Sequence, residues 1–418
     1  MRRVLRAARR VAKGATSRLK ALVPERPRGP GLPLTIVSEA AVLPRVANVL
    51  DGGVPAAPGL IAELTSESVE AEEKTRLRLA GRVGGVDAPA WATGAGGVRR
   101  APVDLVRVTG VWHAPAFGAV FNDQGQVFQK TVQEALYLTP SLGLLPGVRV
   151  EEDRAVFRPP GKVPRLERAT VFMAWGGLHN YGCFLIECLP ALVAAIETGA
   201  TQRFPAIAPP LLPWHRDLLA LLLGSAPQPR VIEAPLARIE DAIYASTLDH
   251  FLHAPNAPLD RVRERILAAA AVDPAVGPRR IYVSRRDSVD RVLLNELDLE
   301  TALAARGFTI VRPATLSVRE QVALFHGADV VVAAPGAALA NILFCRPGTK
   351  VVELQPTHFT AAWPRNLALF ADLDWRAFFS PSPVSQVEMM LEDWRRPDAA
   401  FSWRLDLPAF LGFLDVGL

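Results

Sequence analysis

Cysteine is scarce in this chain. Three occur among 418 residues: Cys183, Cys188 and Cys345. An odd, scattered set excludes a disulfide framework, and Cys183 and Cys188 lack the Cys-x-x-Cys spacing of a zinc or redox site. All three read as reduced and mostly buried, in a cytosolic protein. Long apolar runs are also missing. The longest, residues 330–345, is broken by Pro335, Gly336 and Asn341, so no spanning helix is expected. The start of the chain lacks the apolar stretch of a secretory signal. Acidic residues are nearly absent from residues 1–29, where Glu25 stands alone against ten arginines and lysines. That segment accounts for the net charge of +5, and the body without it is close to neutral, which argues against broad nucleic-acid binding by the fold. Leu5, Val11, Leu19 and Leu22 lie among those bases, so residues 1–22 suit either an anionic membrane surface or a solvated terminus.

What is present is apolar and globular. Half the residues are hydrophobic and 21% are charged, enough for two domains of ordinary size. Residues 24–60 and 86–102 are rich in Pro, Gly and Ala and read as loops or linkers. From Val103 short strands appear, with Asn122-Asp123-Gln124-Gly125 as the turn of a hairpin. After a strand at 170–174 come Gly176 and Gly177, then an apolar helix over 181–197.

The second half alternates strictly. Strands are expected at 281–284, 308–311, 329–333, 350–354 and 375–379. Helices are expected at 295–306, 317–327, 337–344 and 360–373. Ser317 and Glu320 form a capping box. The strands are continuously apolar, the pattern of a parallel sheet covered by helices, which binds ligands at the carboxyl ends of its strands.

Candidate site residues cluster at those ends. The small residues of Ala334-Pro335-Gly336-Ala337 follow a buried strand and open a helix. A phosphate can approach such a backbone closely, although tight helix–sheet packing needs small residues too. Asn341, one turn on, suits a base or ribose. Ser284 and Arg285 end the first strand, with Arg291 and Asn295 beyond, and an arginine fork matches a diphosphate; a solvated basic loop is the alternative. Glu353 ends a strand and suits ribose hydroxyls or an arginine partner. Asp372-Leu373-Asp374 has the form of a metal motif, but it follows the last helix and reads as a turn.

Residues 281–356 resemble glycosyltransferase family 61. The resemblance is carried by Tyr282-Val283-Ser284-Arg285, Arg291, Asn295-Glu296, Leu316-Ser317, Glu320-Gln321, Ala328-Asp329, Gly336-Ala337 with Leu339 and Asn341, and Pro347-Gly348-Thr349 with Glu353. Upstream, Asn180-Tyr181 with Glu187 and Pro190 is similar to a second family segment. The resemblance implies an α/β, GT-B-like architecture of two Rossmann-like domains facing across a cleft. The chain then divides into a basic segment 1–30, an acceptor-side domain 31–260, a donor domain 261–379 and a return segment 380–418 that packs on the first domain. It implies inverting transfer, without metal or other cofactor, from a UDP-sugar to a cell-envelope glycan or lipid-linked acceptor. Donor contacts then fall to Ser284, Arg285, Arg291, Asn295, Gly336, Ala337, Asn341 and Glu353, and the base to Glu187, with His179 as an imidazole nearby. The family usually has His-Gly-Ala where this chain has Pro335-Gly336-Ala337, and His-Trp where it has Cys183-Phe184. A degenerate binding protein is therefore the second reading. A dehydrogenase is disfavoured, since no glycine fingerprint opens the first α/β unit.

Overall fold

A computed structural model describes residues 31–51, 59–65, 83–93, 103–132, 142–248, 256–381 and 401–417. The basic segment 1–30, with the membrane contact expected of residues 1–22, lies outside them, as does Trp394.

The second half folds as the alternation predicts. Five parallel strands form a sheet: Arg280–Val283, Thr309–Val311, Val330–Ala333, Lys350–Pro356 and Asp374–Ser380. The first strand pairs with the second and the third, the third with the fourth and the fourth with the fifth. The spatial order is therefore 2-1-3-4-5. Strand order reverses between the first strand and the third, and that reversal opens a crevice at their carboxyl ends. A sixth parallel strand, Val83–Gly85, pairs with the fifth and comes from the first half of the chain.

Both sheet faces are apolar for a reason. Tyr282, Val332, Val352, Leu354 and Phe378 pack on one face with the helices Glu296–Ala304 and Leu407–Gly417. Ile281, Val331, Val351 and Phe379 join the other face to the main core. The C-terminal helix therefore docks on the parallel sheet, with Phe410 and Phe413 each 5.6 Å from Phe378. Residues 31–260, on which it was expected to pack, meet it at Gly84 of the strand Val83–Gly85. Its aromatic face matches Phe378 and the Cβ-free surface of Gly84, where Phe413 lies.

The first half is a mixed sheet rather than a second parallel one. Its axis is the long strand Val103–His113, antiparallel to Ala237–Ala245, Gly59–Thr65 and Val120–Asn122. Arg165–Val171 runs parallel to Ala237–Ala245 and to Ala206–Ala208. The expected hairpin forms, with Phe121 opposite Val127. A buried bidentate pair fastens the axis: Arg107 Nε and Nη2 donate to Asp241 at 2.9 and 2.7 Å. The segment at 24–60, expected as loop, contributes the strand Leu32–Val37, whose partners were too distant in sequence to be read.

One apolar core runs through both halves, from Val103 and Phe184 to Val331 and Leu339. The helix Ala257–Ala270 bridges them: Arg263 donates from Nε to Leu343 O (2.7 Å) and from Nη2 to Cys345 O (2.9 Å). No described helix is long and apolar enough to cross a membrane.

Candidate active site

The crevice at the sheet reversal is an open cleft lined by Ser284, Arg285, Asp287, Pro313, Gly336 and Leu339 among others. Two carboxylates one helical turn apart hold the Ser284-Arg285 side of its lining. Glu296 and Glu300 both face the sheet from the helix Glu296–Ala304 and are buried. Glu296 Oε1 accepts from Tyr282 OH (2.8 Å) and from the Arg285 backbone N–H (2.6 Å). Burial raises its pKa. Glu300 accepts from Ser284 Oγ (2.6 Å) and pairs with Arg286 and Arg312 at 3.2 and 3.5 Å. The turn after the first strand is thus fixed through its backbone and its serine.

Arg285 is thereby aimed across the cleft. Its Nη2 donates to Ser288 Oγ and Asp290 O, both at 2.9 Å, while its buried Nε has no hydrogen-bond partner. Burial lowers its pKa, opposed by Glu296, Asp287 and Asp290. The guanidinium lies where a side chain on Gly336 would be: a Cβ there falls 1.8 Å from Arg285 Nη1. Gly336 has extended backbone, so the need for glycine is close approach rather than torsion. Arg291, held at φ +54, reaches the same loop. Its Nε donates to Pro335 O at 3.2 Å, and its guanidinium lies 5.6 Å over the Phe359 ring. The two arginines meet Gly336 and Pro335 respectively, where the helix Ala337–Phe344 begins. That helix is 3₁₀ rather than α.

The structure therefore brings Ser284, Arg285, Arg291, Gly336 and Ala337 together. It turns three other candidates inward. Asn295 holds the return segment, its amide donating to Leu405 O (2.9 Å) and accepting from Leu405 N–H (3.0 Å). Asn341 is fully buried; it accepts from Tyr181 OH at 2.6 Å and donates to Gln321 at 2.9 Å. Glu353 lies beside Ala333 and Ala377 in register and is also fully buried. Trp375 Nε1 donates to its Oε2 at 3.1 Å, Oε1 has no partner, and burial pushes its carboxyl up to about 8. Asp372-Leu373-Asp374 forms the turn into the fifth strand, at the sheet end opposite the cleft.

On the other side stands the segment around Tyr181. Gly182 faces Ala337 O and Ala340, so the two halves touch here backbone to backbone. His179 is exposed, and partial burial lowers its pKa. The apolar run at 181–197 is helical but carries a π-turn at Phe184–Cys188, and Glu187 sits in it, 3% exposed. π-turns of this kind recur at functional sites. Thr247 Oγ1 donates to the Glu187 carbonyl at 3.2 Å. Cys188 and Cys345 are buried, Cys183 is half-buried, and none of the three is in a disulfide.

Sequence reasoning missed His215. It is buried on the helix Pro213–Leu223, and its Nδ1 accepts from Leu212 N–H (2.9 Å). Nε2 must then carry the proton it donates to Gly177 O (2.8 Å), which fixes the Nε2–H tautomer. Burial lowers its pKa to about 4. His215 pins Gly177, and Gly177 must lack a side chain because a Cβ would meet Cys188 Sγ at 2.4 Å. Also missed was His358, buried after the fourth strand with its ring 4.2 Å from Phe401. The helical phase of Glu296 and Glu300 was a readable signal; the two histidines gave none.

Residues 181–352 match the family Glycosyltransferase 61. The glycosyltransferase 61 match begins at Tyr181 and ends at Val352, so it spans both sides of the contact and all of the cleft. It points to a glycosyltransferase. No curated protein matches the chain.

Proposed function

We propose that the chain is a glycosyltransferase that moves a sugar from a UDP donor to a cell-envelope glycan or lipid-linked acceptor, with inversion and without a metal. The observation that carries this reading is the meeting of Arg285 with Gly336 at the sheet reversal, inside the family match. There, Arg285, Arg291 and the backbone N–H groups after Gly336 offer positive charge to a departing diphosphate. In the proposed reaction a base takes the acceptor hydroxyl proton, the oxygen attacks the anomeric carbon, and the carbon–phosphate oxygen bond breaks toward the arginines. Glu187 is the proposed base. His179 is the proposed imidazole, its pKa lowered by partial burial. The parallel sheet is read as the donor half and the mixed sheet as the acceptor half of a GT-B-like enzyme. A bacterial capsule-type role, cytoplasmic location and membrane contact through residues 1–22 complete the proposal.

The test is thermal unfolding with UDP, GDP, CMP or NAD, each with and without EDTA. A shift with UDP that survives EDTA and disappears in Arg285→Ala is expected. A shift with none of them would overturn the donor site. A second reading, a nucleotide-sugar-binding protein without turnover, is favoured by one observation: Pro335 removes an N–H from the phosphate loop. UDP binding with no transfer or hydrolysis of UDP-sugars would select it.

A further inference from the structure

The two halves are joined by a chain of three side chains whose far end is the wall of the cleft. Tyr181 OH donates to Asn341 Oδ1 (2.6 Å), and Asn341 Nδ2 donates to Gln321 Oε1 (2.9 Å). Gln321 Nε2 donates to the carbonyls of Pro313 (3.0 Å) and Leu316 (3.2 Å). Pro313 and Ala314 line the cleft opposite Gly336.

The chain has one direction, and chemistry sets it. A backbone carbonyl only accepts, so the Gln321 amide must turn its NH₂ to Pro313 and Leu316 and its oxygen to Asn341. Asn341 must then turn its NH₂ to Gln321, which leaves its oxygen for Tyr181. The tyrosine hydroxyl must donate. Asn341 and Gln321 are buried, so no water replaces a lost partner, and each broken link strands a buried polar group. Donors aligned head to tail also strengthen one another.

We propose that Tyr181, Asn341 and Gln321 are positioning residues, a relay through which the N-terminal half fixes the 3₁₀ turn Pro313–Thr315 that walls the cleft. Its role in donor binding rests on the reading above; the mechanical coupling does not. The relay gives the helix that precedes Glu187 a direct hold on the opposite wall of the crevice.

Amide hydrogen exchange in the full chain tests this. Thr315 N–H and Leu316 N–H, bonded to Arg312 O and Pro313 O at 3.0 Å, are the reporters. Tyr181→Phe removes one oxygen about 130 positions earlier in the sequence. It is expected to speed exchange at both reporters about fivefold, the factor of one lost hydrogen bond. Asn341→Leu, close to asparagine in volume, removes both the acceptor for Tyr181 and the donor to Gln321, and it should give the same factor. The double variant should be no faster than the stronger single one, because either cut breaks the same chain. Exchange altered only near residue 181, or effects that multiply in the double variant, would overturn the relay. UDP affinity, measured in parallel, should weaken severalfold in Tyr181→Phe. If the parent binds no UDP, the donor reading fails while the exchange result still decides the relay.

Discussion

At the scale of single residues, glycine and arginine make the most specific claim on the cleft. Gly336 has ordinary extended backbone, so alanine there suffers no torsional strain. The added methyl collides with the guanidinium of Arg285, which must give up its bonds to Ser288 and Asp290 to move aside. Gly336→Ala is therefore expected to cost about 1–2 kcal/mol of stability. Losing charge-assisted contacts to a diphosphate should weaken nucleotide binding on the order of tenfold to hundredfold. Titration calorimetry with UDP beside a urea melt separates the two effects; a variant that loses stability and keeps its affinity would remove Arg285 from the site. Where Arg285 would lie was legible in the sequence, because a residue that ends a strand of a parallel sheet stands at the carboxyl end where the crevice opens. Asn295, Asn341 and Glu353 were not separable from it by the same rule. A polar side chain at a strand or helix end looks alike in sequence whether it meets a ligand, a backbone or a tryptophan. Which one it meets depends on chain segments far away, here Leu405, Tyr181 and Trp375.

At the scale of elements, local periodicity did best where burial was two-sided. The five parallel strands and the Ser317 capping box came out within a few residues, and both box hydrogen bonds are present. Periodicity failed where pairing is non-local. The strand Val83–Gly85 has three residues and no pattern of its own, yet it closes the parallel sheet's edge. The π-turn at Phe184–Cys188 sits in an apolar run that Glu187 interrupts, just before Pro190; a proline marks a disturbed ladder but does not say which helix type results. One amide is among the anchors of the returning C-terminal segment. Asn295 saturates both polar backbone atoms of Leu405, and the short strand Ser402–Trp403 pairs with Val292–Leu293 just before it. Asn295→Ala should lower unfolding free energy by about 1–3 kcal/mol, because it strands buried backbone groups. UDP affinity should stay within about twofold, well under the 1.4 kcal/mol that a tenfold change needs. Loss of binding without loss of stability would return Asn295 to the donor site.

At the scale of the whole molecule, buried titratable groups of opposite kind sit in the two halves. His113 and His215, in the first half, are each held near a pKa of about 4 by burial. An unfolded histidine binds a proton below about 6.5, so the unfolded state gains protons first, and these two sites lose stability as pH falls from about 6.5 toward 4. Glu353, in the parallel sheet, does the reverse. Its carboxyl keeps its proton up to about 8 in the folded chain, whereas an unfolded glutamate has lost it above about 4.3. Between those values the folded state binds more protons, so stability falls as pH rises and levels off above about 8. Glu39 and Glu296, both raised by burial, add to that fall. Their share cancels when Glu353→Gln is compared with the parent at each pH. Glutamine keeps the acceptor for Trp375 Nε1 and cannot ionise, so the variant should gain on the parent by about 1.4 kcal/mol per pH unit across that window. Urea unfolding of both proteins at pH 5, 6, 7 and 8 measures the difference directly. A constant difference would mean that Glu353 is already ionised in the folded chain, and the charge facing Trp375 would then need a cation that the sheet brings to it.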